Sequence, residues 1–86
     1  MYTIYALKDC EYCRLAVEEL RIRGKSFFYF AVNDVNPLNK TLSLSELKDK
    51  YNWPTVPIIL EATPKGEKLI GGYVDLVDHL EVDNEI

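Results

Sequence analysis

The sequence predicts an α/β protein with one four-stranded mixed sheet and helices on both faces. Short apolar runs rich in β-branched and aromatic residues alternate with helical patterns along 86 residues, as in chains whose strands pair through a helical crossover. A turn sequence joins two later runs directly, which predicts a hairpin. Apolar residues make up 48% of the chain and charged residues 28%. That composition is typical of a packed globular domain and not of a disordered chain.

The first half of the chain predicts a strand, a helix and a second strand. Residues 2–7 have strand composition. Residues 13–24 place apolar side chains at helical spacing, and Gly24 suits a left-handed helix end. Residues 26–32 (SFFYFAV) are the most apolar run and predict a buried strand with its aromatic side chains in the core. The two strands are expected to be parallel, with a right-handed crossover.

The middle of the chain predicts a loop and a second helix. Residues 33–41 contain proline and three asparagines and predict the loop. Residues 44–51 predict the helix, and Ser43 and Glu46 have the spacing of a capping box. Two prolines in residues 52–57 end that helix.

The last third predicts a hairpin and a short helix. Residues 57–62 and 68–70 predict antiparallel strands, joined by a turn with proline and glycine at favourable positions. Gly71 and Gly72 end the hairpin, and residues 74–82 predict a helix on which His79 is expected to be solvated. The predicted order is therefore β-α-β-α-β-β-α.

Charge and hydropathy exclude several classes of protein. The formal net charge is −4 and the sequence pI is about 4.9, which predicts no nucleic-acid partner because phosphate binding needs a basic face. No apolar stretch reaches the roughly 20 residues of a membrane span, so no membrane partner is expected. The first ten residues lack the basic start of a signal peptide. We therefore expect a cytoplasmic protein.

The two cysteines, Cys10 and Cys13, form one C-x-x-C between the first strand and the first helix. A bridge this short closes almost no loop, so it contributes little stability. The thiolate is the reactive form of cysteine, and a helix N-terminus stabilises negative charge through its amides and dipole. Cys10 is thus the candidate nucleophile and Cys13 the thiol that resolves a mixed disulfide, while Lys8 and Arg14 add positive charge.

Metal binding is the alternative use of a C-x-x-C. Structural zinc takes four ligands, whereas this chain offers Cys10, Cys13 and the distant His79. A zinc or iron–sulfur site would therefore need a second copy of the chain. A metal-binding dimer remains the alternative from a different class, and the expectation is that no metal or other cofactor is bound.

Three motifs in this order resemble those of the glutaredoxins, dithiol proteins of the thioredoxin fold: CEYC at residues 10–13, TVP at 55–57 and GGYVD at 71–75. The resemblance covers the whole chain as one domain, residues 1–86, and is to the compact bacterial or viral members. It implies a monomeric, glutathione-dependent thiol–disulfide oxidoreductase. Glutathione would be the reducing co-substrate, and the dithiol would reduce glutathione mixed disulfides and disulfide-containing proteins such as ribonucleotide reductase.

The resemblance also implies a glutathione site. Pro57 would be cis and face the dithiol, and the backbone of Val56 would pair with the tripeptide like an added strand. Asp75, at a helix start, would receive the γ-glutamyl ammonium. Lys48 and Lys50 are both open candidates for the glycine carboxylate. The implied glutathione-binding residues are Lys8, Tyr12, Thr55, Val56, Pro57, Tyr73, Val74 and Asp75.

Glu11 departs from the family pattern, in which dithiol members usually carry proline after the first cysteine. A carboxylate beside Cys10 is expected to oppose the thiolate and to raise the pKa of Cys10 relative to a proline version. Because it would also repel the carboxylates of glutathione, Glu11 supports an alternative function, a redoxin recycled by thioredoxin reductase.

Overall fold

The computed structural model describes residues 1–7, 9–31 and 44–83. Its element order confirms the α/β fold class predicted from the sequence. No helix in this described part combines the length and apolar character needed to cross a bilayer. The elements are β1 Tyr2–Ala6, α1 Glu11–Ile22, β2 Phe27–Ala31, α2 Leu44–Tyr51, β3 Ile58–Thr63, β4 Gly66–Gly71 and α3 Tyr73–Asp83.

The four strands form a mixed sheet in the order β2-β1-β3-β4. β1 pairs in parallel with β2 and antiparallel with β3, and β3 pairs antiparallel with β4. The Pro64–Lys65 turn makes the β3–β4 hairpin, as predicted. The central position of β1 brings its C-terminal end, and the C-x-x-C that follows, next to the start of β3.

The core lies in two clusters on opposite faces of the sheet. Neighbouring residues of a strand face opposite sides, and Ile59 of β3 belongs to one cluster while Ile58 belongs to the other. α1 and α3 pack on the first face, and α2 contributes Leu47 to the second. The buried members of the first cluster are Tyr2, Ile4, Ala6, Cys13, Ala16, Leu20, Ile59, Leu76 and Leu80.

β2 corrects the prediction of a buried strand over residues 26–32. Phe28, Tyr29 and Phe30 are 55%, 44% and 38% exposed. The reason is position: among the described strands β2 is an edge, with β1 as its only neighbour. The apolar composition of a run does not reveal how many neighbours it has. Phe27 and Tyr29 share the α1 side with their β1 partners, and Phe30 stacks on Tyr5 on the other side.

Helix ends follow the local signals closely. Gly24 adopts φ 69° after α1, as predicted. α1 begins at Glu11 rather than residue 13, because Cys10 supplies its N-cap. Ser43, half of the predicted capping box, and the predicted loop over residues 33–41 lie outside the described residues.

His79 on α3 is not the solvated residue that the sequence predicted. Its Nε2 lies 3.2 Å from Oε1 of Glu61 on β3, and its ring meets Tyr2 edge-on. The contact crosses from a helix to a strand, so no local pattern reveals it.

Candidate redox-active site

Cys10 and Cys13 form a disulfide at the N-terminus of α1, with their Cα atoms 5.2 Å apart. Cys10 is the N-cap residue in extended conformation, and its Sγ accepts the backbone N–H of Cys13 at 3.2 Å. Cys13 is 1% exposed and Cys10 is half-buried. The prediction that Cys10 precedes the helix and Cys13 lies in its first turn is confirmed.

This geometry places the two sulfurs in different environments. The amide of Cys13 is directed at the sulfur of Cys10, where it stabilises a thiolate once the disulfide is reduced. The more accessible sulfur is thus the one that lies at the helix start. Cys13, sealed in the core, can reach little besides Cys10.

Glu11 is held by Arg14 on the next turn of α1. The guanidinium of Arg14 donates through Nε to Oε2 of Glu11 at 3.3 Å and through Nη2 to Oε1. Nη1 donates to Glu18 at 2.7 Å. Hydrogen bonding to Arg14 lowers the pKa of Glu11 below its usual value. The carboxylate of Glu11 beside Cys10 is therefore paired with a positive charge. The expectation from the sequence considered the negative charge of Glu11 without this partner.

A groove of about 300 Å³ lies between the loop before β3 and the start of α3. The Val56–Pro57 peptide bond is cis, as the resemblance implied, and Pro57 is buried beneath the groove. Every implied glutathione residue except Pro57 and the undescribed Lys8 lines it. The lining residues are Tyr12, Trp53, Thr55, Val56, Gly72, Tyr73, Val74 and Asp75.

Two tyrosines border this groove. Tyr12 on α1 is 60% exposed, and its ring centroid lies 6.1 Å from that of Tyr73 on α3. Tyr12 lies two residues from Cys10 along the chain. Tyr12 is one of the residues that the resemblance implied for glutathione binding, and it lines this groove.

The start of α3 is capped from inside the helix. Asp75 Oδ2 accepts the N–H of Gly72 at 3.0 Å, and the carbonyl of Gly72 accepts the first helical bond from Leu76. Gly71 has φ 120°, and a Cβ there would lie 2.7 Å from Asp75 Oδ2. Gly72 has no side chain, so in the described structure nothing caps the amides of Tyr73 and Val74.

A second and larger groove, of about 740 Å³, runs between α1 and β2. Cys10 lines it, together with Arg14, Val17 and Arg21 of α1 and Phe27 and Tyr29 of β2. It shares no lining residue with the first groove.

Several of these groove residues were missed by the motifs. The i, i+3 and i+7 spacing of Arg14, Val17 and Arg21 marks one helix face and was available in the sequence. Trp53 carried no motif that would have placed it beside Gly72. Neither Lys48 nor Lys50 lines either groove, so the choice between them stays open.

Metal ligands do not gather in the described part of the chain: no group of three or more His, Cys, Asp or Glu residues is placed to hold an ion.

A cysteine at a helix N-terminus, a buried partner three residues on and a cis-proline loop before β3 are the features of a thiol–disulfide oxidoreductase of the thioredoxin-like fold. The Glutaredoxin family model matches residues 2–60, more than half of the chain. The chain belongs to the glutaredoxin family, and this membership implies thiol–disulfide oxidoreductase activity. The family generally uses glutathione as a co-substrate and needs no bound cofactor.

Two solved structures support the fold. A solution structure of glutaredoxin from Brucella melitensis superposes with TM-score 0.67 at 24% identity, over 98% of this chain and 80% of that one. The trimeric glutathione transferase TDR1 from Leishmania has TM-score 0.69 at 14% identity, over 99% of this chain but 18% of its own. Comparison with curated protein sequences gave no significant match.

Proposed function

We propose that this protein is a glutathione-dependent thiol–disulfide oxidoreductase that reduces protein disulfides and glutathione mixed disulfides through Cys10 and Cys13. The observation that carries the proposal is the hydrogen bond from the Cys13 amide to Cys10 Sγ. It supports Cys10 as the nucleophile, because stabilising the thiolate is what makes a cysteine reactive near neutral pH.

Reduction of a protein disulfide takes two exchanges. The Cys10 thiolate attacks one sulfur of the target, which forms a mixed disulfide and releases the other target sulfur as a thiolate. Cys13, once deprotonated, then attacks Cys10 Sγ. The target sulfur that was bonded to Cys10 leaves as a thiolate. Two electrons and two protons pass to the target, and the Cys10–Cys13 disulfide remains.

Glutathione returns the electrons in two further exchanges. One glutathione thiolate attacks Cys10 Sγ and releases Cys13, leaving glutathione bonded to Cys10. A second glutathione attacks the sulfur of the first, which yields glutathione disulfide and regenerates the Cys10 thiolate. A glutathione mixed disulfide on a protein needs only Cys10, since its glutathione sulfur is transferred directly to that residue.

The smaller groove is the proposed glutathione site. The free amides at the start of α3 suit the γ-glutamyl carboxylate, and Asp75 suits the neighbouring ammonium. The backbone of Val56 would pair with the tripeptide. Tyr12 and Tyr73 would flank the reacting sulfur. Lys8 is proposed as a further cationic contact.

The physiological setting is also a proposal. The acidic net charge of −4 and the absence of an apolar span in the sequence support a cytoplasmic monomer without nucleic-acid or membrane partners. Ribonucleotide reductase, a disulfide-forming enzyme, is the proposed type of protein target.

The test is a coupled turnover assay on hydroxyethyl disulfide, monitored through NADPH oxidation. One arm supplies glutathione with glutathione reductase, and the other supplies thioredoxin reductase alone. We expect turnover in the first arm only. Turnover confined to the second arm would identify a thioredoxin-reductase-linked redoxin instead. Freshly purified protein with stoichiometric zinc or iron and no turnover in either arm would favour the metal-binding dimer.

A further inference from the structure

We propose that the groove between α1 and β2 binds the polypeptide next to the reacting cysteine of a protein substrate, and that it selects an extended segment carrying a large apolar side chain followed by a carboxylate. The inference rests on the proposed function, because it takes Cys10 as the sulfur that joins the substrate. It adds a second binding surface, separate from the glutathione groove.

The groove is continuous with the reaction centre. Cys10 lines the α1–β2 groove and does not line the groove at the start of α3. A substrate held on Cys10 as a mixed disulfide therefore has its neighbouring residues at the mouth of this groove. Since the two grooves share no lining residue, a polypeptide in one leaves the other available to glutathione.

The walls of the groove differ in chemistry. Val17 and Phe27 pack against the core and Tyr29 is 44% exposed, so together they offer an apolar floor. On the helix side, Arg14 is engaged by Glu11 and Glu18. Arg21 is exposed, and no carboxylate in the described part of the chain pairs with it. Arg21 is thus the cation available to a ligand.

Among the described residues, one unpaired negative charge, that of Asp9, lies at the mouth of the groove. Asp9 and Glu11 lie on either side of Cys10 in the chain, and both line the groove. Asp9 is exposed, and no described cation pairs with it. Because Arg14 offsets the charge of Glu11, a substrate carboxylate directly beside the reacting cysteine meets the charge of Asp9, whereas one farther along meets Arg21. The charge pattern therefore sets a position for the acidic residue as well as a preference for it.

Helix geometry gives the spacing. A helix rises about 1.5 Å per residue, so Val17 lies about 10 Å and Arg21 about 16 Å along α1 from Cys10. An extended polypeptide advances about 3.3 Å per residue. The apolar side chain is therefore expected about three residues from the substrate cysteine and the carboxylate about five.

The probe is a set of synthetic single-cysteine peptides, each activated as a mixed disulfide with thionitrobenzoate, reacted with reduced Cys13→Ser protein. Cys10 thiolate attacks the peptide sulfur, a Cys10–peptide disulfide forms and the thionitrobenzoate anion leaves with the electron pair. Its absorbance gives the second-order rate constant. The lead peptide carries phenylalanine at position three and glutamate at position five from the cysteine. It is made in two versions, in which positions one to five run either toward the N-terminus or toward the C-terminus from the cysteine. The comparison peptides carry glutamine or lysine at position five, or have the glutamate moved to position one.

We expect the glutamate peptide to react about two- to fivefold faster than the glutamine peptide in one chain direction, the range for an exposed ion pair. Moving glutamate beside the cysteine should make it slower than the glutamine peptide. Arg21→Gln should remove the preference and Arg21→Glu should transfer it to the lysine peptide. Lys65→Glu, in the turn between β3 and β4, makes the same charge change away from the groove and should leave the preference intact.

The apolar floor has its own matched pair. Tyr29→Ser should slow the phenylalanine peptide relative to an alanine version, whereas Phe28→Ser, on the opposite face of β2, should not. The groove proposal would be contradicted if Arg21→Glu and Lys65→Glu changed the peptide preference equally. It would also be contradicted if Tyr29→Ser and Phe28→Ser slowed the phenylalanine peptide equally. Hydroxyethyl disulfide turnover distinguishes failure of the groove proposal from failure of the proposed function. Intact turnover without any peptide preference would contradict the groove proposal alone. If the unmodified protein shows no turnover of hydroxyethyl disulfide, both the proposed function and the groove proposal are wrong.

Discussion

The N-termini of α1 and α3 carry opposite halves of the capping-box arrangement. At α1 the N-cap side chain, the sulfur of Cys10, accepts the amide of the third helical residue, Cys13. At α3 the third helical residue, Asp75, reaches back and accepts the amide of the N-cap residue, Gly72. One helix is capped from outside by a reactive atom, and the other from inside by a carboxylate.

The difference separates chemistry from binding. At α1 the helix start is committed to a sulfur of the chain itself, so its electrostatic effect acts on the reacting atom. At α3 the glycine N-cap leaves the first amides unoccupied, while Asp75 adds a negative charge beside them. A zwitterionic group such as an α-amino acid end matches that pairing of amide donors with a carboxylate. Under the proposed function, the two helix starts thus divide nucleophile and ligand between them.

The largest expected effect comes from replacing the cysteines at the start of α1. Cys10→Ser should abolish reduction of every disulfide substrate, because a serine hydroxyl cannot form the mixed disulfide. Cys13→Ser should lose reduction of protein disulfides but keep turnover of glutathione mixed disulfides. Coupled NADPH assays on both substrate types measure this. An active Cys10→Ser beside an inactive Cys13→Ser would reverse the assignment of the two sulfurs.

Gly71→Ala tests the approach of the chain to Asp75. Gly71 has φ 120° and its Cβ would lie 2.7 Å from Asp75 Oδ2, whereas Gly66 has φ 116° with nothing within 4 Å. Both substitutions place alanine in a strained backbone region, which costs about 1–3 kcal/mol. Gly71→Ala should cost more than Gly66→Ala, and urea unfolding measures the difference. Equal losses would show that Asp75 moves aside freely.

Asp75→Asn sharpens the role of the α3 cap. Asparagine can still accept the Gly72 amide, so the helix should stay intact in circular dichroism. The counter-charge for an ammonium is lost, and the KM for glutathione should rise by up to about tenfold, which corresponds to about 1.4 kcal/mol. Asp78→Asn removes an exposed charge from the same helix and serves as the control. If both variants share one KM, Asp75 does not contact the substrate.

Gly72→Ser converts the α3 start toward the α1 pattern. A serine side chain can cap the free amides, and space is available because a Cβ at Gly72 would meet Asp75 at an ordinary 3.7 Å. Serine is a better N-cap than glycine by a few tenths of a kcal/mol, so unfolding should need slightly more urea. Glutathione KM should rise a few-fold, because the cap competes with the ligand. Higher stability with unchanged KM would place the ligand elsewhere.

The smallest effect concerns the Glu11–Arg14 pair. Because the two charges offset each other beside Cys10, the double variant Glu11→Gln/Arg14→Gln should leave the pKa of Cys10 nearly unchanged. Arg14→Gln alone should raise it, and Glu11→Gln alone should lower it. Thiolate ultraviolet absorbance against pH, in the Cys13→Ser background, measures all four proteins. A shift in the double variant as large as in either single one would mean that the pair does not act on the sulfur.

The pH window of that pair follows from the sign of its shift. Hydrogen bonding to Arg14 lowers the pKa of Glu11 from its usual value of 4.5, so the pair is fully formed above that value and is lost as the pH falls through the lowered pKa. Turnover measured near neutral pH is therefore expected to be insensitive to Glu11 titration.

Local patterns predicted most of the framework. Gly24, the C-x-x-C before a helical pattern and the Pro-Lys-Gly turn each depend on a few neighbouring residues, and the structure places them as expected. Glu11 was within reach as well, because Arg14 follows it at the spacing of helical ion pairs. The expectation that Glu11 opposes the thiolate of Cys10 stays a prediction, to which the structure adds the counter-charge of Arg14.

The remaining features depend on contacts between distant segments. Whether an apolar strand such as β2 is buried depends on how many strands and helices adjoin it, which its own residues do not encode. The pairing of His79 with Glu61 and the place of Trp53 beside Gly72 arise only when α3 and the sheet assemble. The groove at the start of α3 was predictable through the family motifs, whereas the α1–β2 groove needed the edge position of β2.

The closeness of the two cysteines in sequence, with a separation of 3, has a thermodynamic consequence. Opening so small a ring gives the unfolded chain almost no additional freedom. The unfolding free energies of the oxidised and reduced protein thus differ mainly because the folded state stabilises the disulfide and the dithiol to different extents. By the closed cycle of folding and reduction, that difference equals the gap between the reduction potentials of folded and unfolded chain, with about 30 mV for each 1.4 kcal/mol. Unfolding curves of the two redox forms therefore measure how folding changes the electron affinity of the dithiol.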